Sequence, residues 1–215
     1  MSIKDAIANI KKDIPEDIII VAATKRQDVG RIQEAIDAGI TIIGENYVSE
    51  ALMKCNIETE MHCLGHLQTN KVKKAVKIFD MIQTVDSEKI VKEISKHCQP
   101  IGKSMPVLIE VNIAKEPQKN GCMPRDVVRL AQCIARTPYV VIRGVMTMGP
   151  RCDTPEDLRP HFKEAKKIYD MLKHMFPSEE INTLSMGMSS SYKIAIAEGA
   201  TMVRLGTGIF GKRDD

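Results

Sequence analysis

Tryptophan is missing from the 215-residue chain, and tyrosine and phenylalanine contribute only four residues each. So few flat rings disfavour the stacking platforms with which proteins hold single-stranded nucleic acid. The charge balance agrees: 31 basic against 28 acidic residues leave +3, without the one-sided excess that marks nucleic-acid or membrane partners. The six cysteines are scattered, with no C-x-x-C pair. Neither zinc-ligand spacing nor a disulfide framework is expected, and reduced thiols in a cytoplasmic protein are. The five histidines show no ligand spacing either, so no metal site is expected. No run approaches the roughly 18 apolar residues that span a bilayer. The opening MSIKDAIANIKKDIPED is charged and amphipathic, unlike the apolar segment of a secretory signal. No proline- or glycine-rich linker interrupts the chain, so one domain over 1–215 is expected.

What is present is an alternation. Runs rich in Val, Ile, Leu and Met fall at 17–24, 40–46, 60–67, 79–86, 105–113, 139–148, 181–187 and 202–208. Near-continuous apolar runs suit strands buried on both faces of a parallel sheet. Helical periodicity fills the intervals. Ile32, Ala35 and Ile36 share a face before Gly39, and Ile90, Val91 and Ile94 follow Ser87. Val127, Val128, Ala131, Ile134 and Ala135 form a third stripe. The longest runs from Phe162 to Phe176, after Thr154-Pro155 as an N-cap with proline at the first helical position. Eight strand-then-helix units behind a short N-terminal helix predict an α/β fold, a (β/α)8 TIM barrel. An open doubly wound sheet is the alternative.

In such a barrel the chemistry collects where the strands end at their C-termini. Lys25 directly follows VAAT at the first such end. A lysine among apolar walls can act as a neutral amine and form a Schiff base with a carbonyl; a snorkelling lysine is the plainer reading. GMSSS at 187–191 precedes a short helix, and Ser189 is predicted to cap it with free N–H groups turned to an anion. GTG at 206–208 lets backbone amides approach closely. Loops after strands seven and eight are a common phosphate site in barrels, although plain turn chemistry gives the same letters. Arg204 lies inside the last strand, where a buried guanidinium needs either a carboxylate partner or a ligand heteroatom. An imine-forming lysine, a phosphate cradle and an arginine between them describe a phosphorylated aldehyde ring, which pyridoxal 5′-phosphate fits.

The segments VAATKRQD, IIGENYVSEALMK, HCLGHLQTNK, VNIAKEPQKNG, RGVMTM, TLSMGMSSSY and GATMVRLGTGIFGKRD, in this order, resemble the successive motifs of the pyridoxal phosphate homeostasis protein family. The resemblance implies a single barrel similar to the N-terminal barrel of alanine racemase. It implies a role in vitamin B6 homeostasis without established turnover. It places the cofactor on Lys25 as a Schiff base, Asn46 beside the ring, Ser189 with the backbone of Gly206 and Thr207 at the phosphate, and Arg204 at the pyridine nitrogen. His66 falls on a variable position of the family pattern. Two departures stand out: Ser190, Ser191 and Tyr192 follow where an acidic residue is common, and the usual terminal R-D-Y reads Arg213-Asp214-Asp215.

An arginine can only donate, so the ring nitrogen opposite it stays unprotonated and the ring is a poor electron sink. Only Leu205 to Asp215 follow Arg204. The β domain that supplies alanine racemase with its second base, a tyrosine, is therefore expected to be absent. The expected function is a monomeric cofactor carrier that delivers to apo-enzymes. An alternative is a racemase-like or Schiff-base aldolase-type enzyme with Asp86, Glu45 or Tyr47 as base. A second alternative is a docking module built on the basic stretch Asn70 to Lys77; a solvated helix face with Val72, Ala75 and Val76 turned inward is the favoured reading of that stretch.

Overall fold

Hydrophobic runs too long to be half-exposed strands are buried here from both sides. In a computed structural model, which describes residues 1–212, eight parallel strands close into a barrel in chain order. They are β1 Ile19–Ala23, β2 Ile42–Glu45, β3 Glu60–Cys63, β4 Met81–Val85, β5 Met105–Val111, β6 Val140–Thr147, β7 Thr183–Ser185 and β8 Met202–Leu205. The last closes on the first, with Val21 opposite Arg204. The open doubly wound sheet is thereby excluded. Arg213, Asp214 and Asp215, the altered terminal motif, lie outside the described residues.

The helices form the outer ring: α1 Ile3–Asp13, α2 Val29–Asp37, α3 Val48–Met53, α4 Val72–Ile78, α5 Glu88–Cys98, α6 Val127–Ala135, α7 Arg159–Met175, α8 Tyr192–Ala197 and α9 Thr207–Phe210. None is long and apolar enough to cross a membrane among the described residues. The main apolar core lies between this ring and the sheet and includes Ile32, Val76, Ile94, Ile134 and Phe162. A smaller cluster of Val21, Ile42, Leu64 and Met202 packs separately. The Met202 sulfur touches the Gln83 amide, which places this cluster beside polar groups of the barrel interior.

One local reading is corrected and one is borne out. Thr154-Pro155 does not open α7 directly. It opens a single 3-10 turn, Pro155–Leu158, where Thr154 and Asp157 form a reciprocal capping box. The basic stretch is α4, with Val72, Ala75 and Val76 buried and Lys73, Lys74 and Lys77 exposed, as a solvated face requires.

The N-terminal helix does more than cover the ring. Asp13, at its end, accepts from the Tyr192 hydroxyl at 3.3 Å and pairs with Lys193 at 2.8 Å. Its body packs on α9, with Ile10 next to Gly208.

Candidate functional site

The strand ends leave a cavity of about 390 Å³ at the C-terminal mouth of the barrel. It is lined by Lys25, Asn46, Ser189, Arg204, Gly206 and Thr207, all six of the residues singled out from the sequence, together with Ala23, Leu64, Met148, Met188 and Ser190. The polar members converge from β1, β2, β7 and β8.

Lys25 is half-buried, and its ammonium stands 4.9 Å from the centre of the Tyr47 ring. The turn that carries it is unusually constrained. The Thr24 carbonyl accepts from the Gln27 amide at 3.0 Å and from the Lys54 ammonium at 2.9 Å. The Thr24 hydroxyl donates to the Glu45 carboxylate at 2.5 Å, and Lys54 pairs with the same oxygen at 2.6 Å. Arg26 adopts a left-handed φ of 60°, a conformation costly for a side chain-bearing residue, and its N–H is held by Glu50 at 2.8 Å. Lys54 was not legible as a site residue. Its one signal is the i,i+4 spacing from Glu50 in GENYVSEALMK.

Ser189 does not cap α8, which corrects the prediction. Ser191 precedes the helix, and its hydroxyl accepts from the Met188 N–H at 3.1 Å. Three serines in a row made the two roles interchangeable on paper. The Ser189 hydroxyl instead accepts from two backbone amides of the last strand's turn, Gly206 at 3.2 Å and Gly208 at 2.9 Å. A Cβ on Gly208 would come within 3.2 Å of that hydroxyl. The eighth loop thus points two converging N–H donors at one oxygen of the seventh, and such a donor pair suits an anion.

Arg204 is 5 % exposed and has no carboxylate ion pair among the described residues. It donates to the Ser185 hydroxyl at 2.6 Å and to the Thr147 carbonyl at 2.9 Å. Burial lowers its pKa to about 10, partly offset by the charge of Glu110. It therefore remains a cation and a donor at neutral pH. Glu110 is pushed up to about 7 by burial and by the nearby charge of Asp86, and one of its oxygens has no hydrogen-bond partner.

The alternative general bases fare differently. Glu45 is fully buried against Lys54 and does not line the cavity. Asp86 pairs with His66 at 3.4 Å in a neighbouring groove. Tyr47 lies beyond the lysine, half-exposed. No group of three or more potential metal ligands occurs among the described residues.

The family model described as alanine racemase, N-terminal domain, matches residues 2–214. A pyridoxal phosphate homeostasis protein of Pasteurella multocida is 36% identical over 230 residues, covering 100% of this chain and 99% of its own. One of the same name from Aquifex aeolicus is 36% identical over 198 residues, 90% of this chain and 86% of its own. PipY of Synechococcus elongatus, solved with PLP bound, superposes with a TM-score of 0.90 at 32% identity, covering 98% of this chain and 100% of that one. An alanine racemase of Clostridium difficile, 16% identical with a TM-score of 0.78, covers 100% of this chain and 57% of its own and bears on the fold alone. Matched along nearly its whole length by relatives that share one name, the chain belongs to the pyridoxal phosphate homeostasis protein family.

Proposed function

We propose that this chain binds pyridoxal 5′-phosphate in the barrel-mouth cavity, as a Schiff base on Lys25, and serves cofactor homeostasis rather than turnover. One observation carries the reading. The lysine, the two converging amides and the buried arginine line a single cavity of about 390 Å³, which suits one small ligand. The donor set fits the cofactor chemically. Two backbone N–H groups that now meet the Ser189 hydroxyl offer an anion site beside Thr207, and Lys25 offers the amine.

When bound, the cofactor supplies an electrophilic aldehyde carbon and a conjugated ring. Lys25 contributes the nucleophile, oriented by the braced Thr24–Gln27 turn. Asn46 and Leu64 line the same cavity as the amine and the arginine. Arg204 would keep whatever acceptor lies opposite it unprotonated, because a guanidinium donates hydrogen bonds but does not transfer its proton at neutral pH. That selects against carbanion chemistry, which relies on a protonated ring nitrogen. Among the described residues that line it, the cavity has no ionisable side chain other than Lys25 and Arg204 to move a proton. Storage and release remain the chemistry it supports best, with apo-enzymes as the recipients.

The test is spectroscopic. Protein supplied with pyridoxal phosphate is expected to turn yellow, and borohydride to fix the cofactor on the peptide that holds Lys25. Lys25→Ala should stay colourless. Labelling at another lysine overturns the assignment. Amino-acid conversion at ordinary enzyme rates of about 1 per second or more overturns the carrier reading.

A further inference from the structure

A chain of hydrogen bonds crosses the barrel interior from the cavity to the opposite face. Arg204 donates to Ser185 Oγ at 2.6 Å, and Ser185 Oγ donates to Gln83 Oε1 at 2.7 Å. Gln83 Nε2 meets His62 Nδ1 at 2.8 Å, and His62 Nε2 meets Glu60 Oε1 at 2.7 Å. Ser185, Gln83 and His62 are fully buried, whereas Glu60, at the N-terminal start of β3, is 46 % exposed. None of the three buried residues has a polar side-chain atom left without a partner.

Donor and acceptor chemistry gives this chain a single direction. A guanidinium only donates, so Ser185 must accept from it and pass its own proton to the Gln83 carbonyl oxygen. The Gln83 amide therefore turns its NH₂ to His62, whose Nδ1 must be the unprotonated nitrogen. The histidine proton sits on Nε2 and is donated to Glu60, which this bond holds below the usual carboxylate range. Reversing any one link leaves two donors or two acceptors facing each other in a dry interior, at a cost of about 1–3 kcal/mol. Apolar side chains would fill this space more simply, and barrels are ordinarily packed that way.

We infer that Gln83 and His62 are positioning residues that hold Arg204 aimed at the cofactor cavity, through a one-way hydrogen-bond chain that locks His62 in its Nε2–H form. The inference rests on the proposal that this cavity takes pyridoxal phosphate. It extends that proposal to residues that never touch the ligand. Ser185 spends its only proton on Gln83, so it cannot turn and donate elsewhere, and the Arg204 nitrogen beside it stays fixed.

Two measurements test this. The first needs no cofactor: ¹⁵N NMR of the histidine ring nitrogens in the full chain, with the His62 signals assigned by their loss in His62→Gln. Wild-type His62 is expected to show a bare Nδ1 and a protonated Nε2. In Gln83→Glu, nearly the same size, a carboxylate oxygen faces Nδ1, and the proton should appear there. A protonated Nδ1 in the wild type, or an unchanged His62 in Gln83→Glu, overturns the chain. The second is a titration with pyridoxal phosphate. Gln83→Leu, which removes the acceptor for Ser185 and so frees the hydroxyl beside Arg204 to turn, should bind about tenfold more weakly, while Gln83→Glu, which keeps the acceptor for Ser185, stays within about threefold of wild type. Equal affinity in Gln83→Leu overturns the coupling to Arg204. Failure of the wild type itself to bind would instead defeat the proposed function and leave the NMR result standing.

Discussion

The Lys54 ammonium and the Glu45 carboxylate meet at 2.6 Å with 6 % and 0 % of their side chains open to solvent. Lys54 also holds the carbonyl of Thr24, the residue before the cavity lysine. Burial pushes the Glu45 carboxyl up, and its bonds to Lys54 and Thr24 pull it back. Removing one partner of such a pair strands the other charge. Lys54→Met is expected to cost about 3–5 kcal/mol of unfolding free energy in urea titrations. The double variant with Glu45→Gln should cost clearly less than the sum of the two single changes, because they share one interaction. Strict additivity would show that the pair is not coupled.

Gly65 is pressed against the backbone of Asn46. A Cβ there would lie 2.1 Å from the Asn46 carbonyl oxygen, a distance that cannot be relieved by turning a flexible side chain. Gly65→Ala therefore must move Asn46, which lines the cavity. The expected result is a loss of about 1–3 kcal/mol in stability together with weaker uptake of pyridoxal phosphate. Retained stability with unchanged uptake would mean that this strand end is plastic.

Glu110 gives stability a pH dependence of defined sign. Its carboxyl is raised from the ordinary 4.5 to about 7 in the folded chain. Between those values the native state holds a proton that the unfolded chain has released. Stability is therefore full below about pH 4.5, falls as pH rises towards 7, and levels off beyond, by about 3 kcal/mol at most. Glu110→Gln should flatten that slope. Urea midpoints measured at pH 5, 6 and 7.5 in both proteins decide it, and an identical fall in the variant would assign the slope to another group.

The Ser189 hydroxyl serves two amides, so Ser189→Ala leaves both Gly206 and Gly208 N–H without that acceptor. In the unloaded protein this should cost about 1–2 kcal/mol. An anion supplies the missing acceptor, so added pyridoxal phosphate should raise the melting temperature of Ser189→Ala at least as much as that of wild type. Pyridoxal without its phosphate should not.

The eight strands were legible because a strand covered on both sides reads as an apolar run, and the alternation with helices leaves few topologies. Their ends were not. The run at 60–67 continues through Leu64 and Leu67, yet β3 stops at Cys63, because those two leucines pack from the following loop. Lys25, Ser189, Arg204 and the GTG turn were recoverable since barrel chemistry sits at known strand ends, whereas Asn46 came only from the family resemblance. What stayed hidden were partners distant in the chain. Gln83 reaches His62 across 21 residues and Ser185 across 102, and neither pairing leaves a trace in local pattern. Lys54 carries no local signal of burial, yet it is 6 % exposed in the folded chain.

The first helix grips both halves of the anion cradle from outside: Asp13 holds Tyr192 and Lys193 of the helix behind the serine turn, and Ile10 sits behind Gly208. Residues that no ligand meets thus brace the two loops against each other like a strap across a hinge. Slackening it with Ile10→Ala or Asp13→Asn would let the serine turn drift from the amide pair without changing any cavity-lining residue. On the proposed function, how tightly a cofactor would be held becomes adjustable from the outer surface of the barrel.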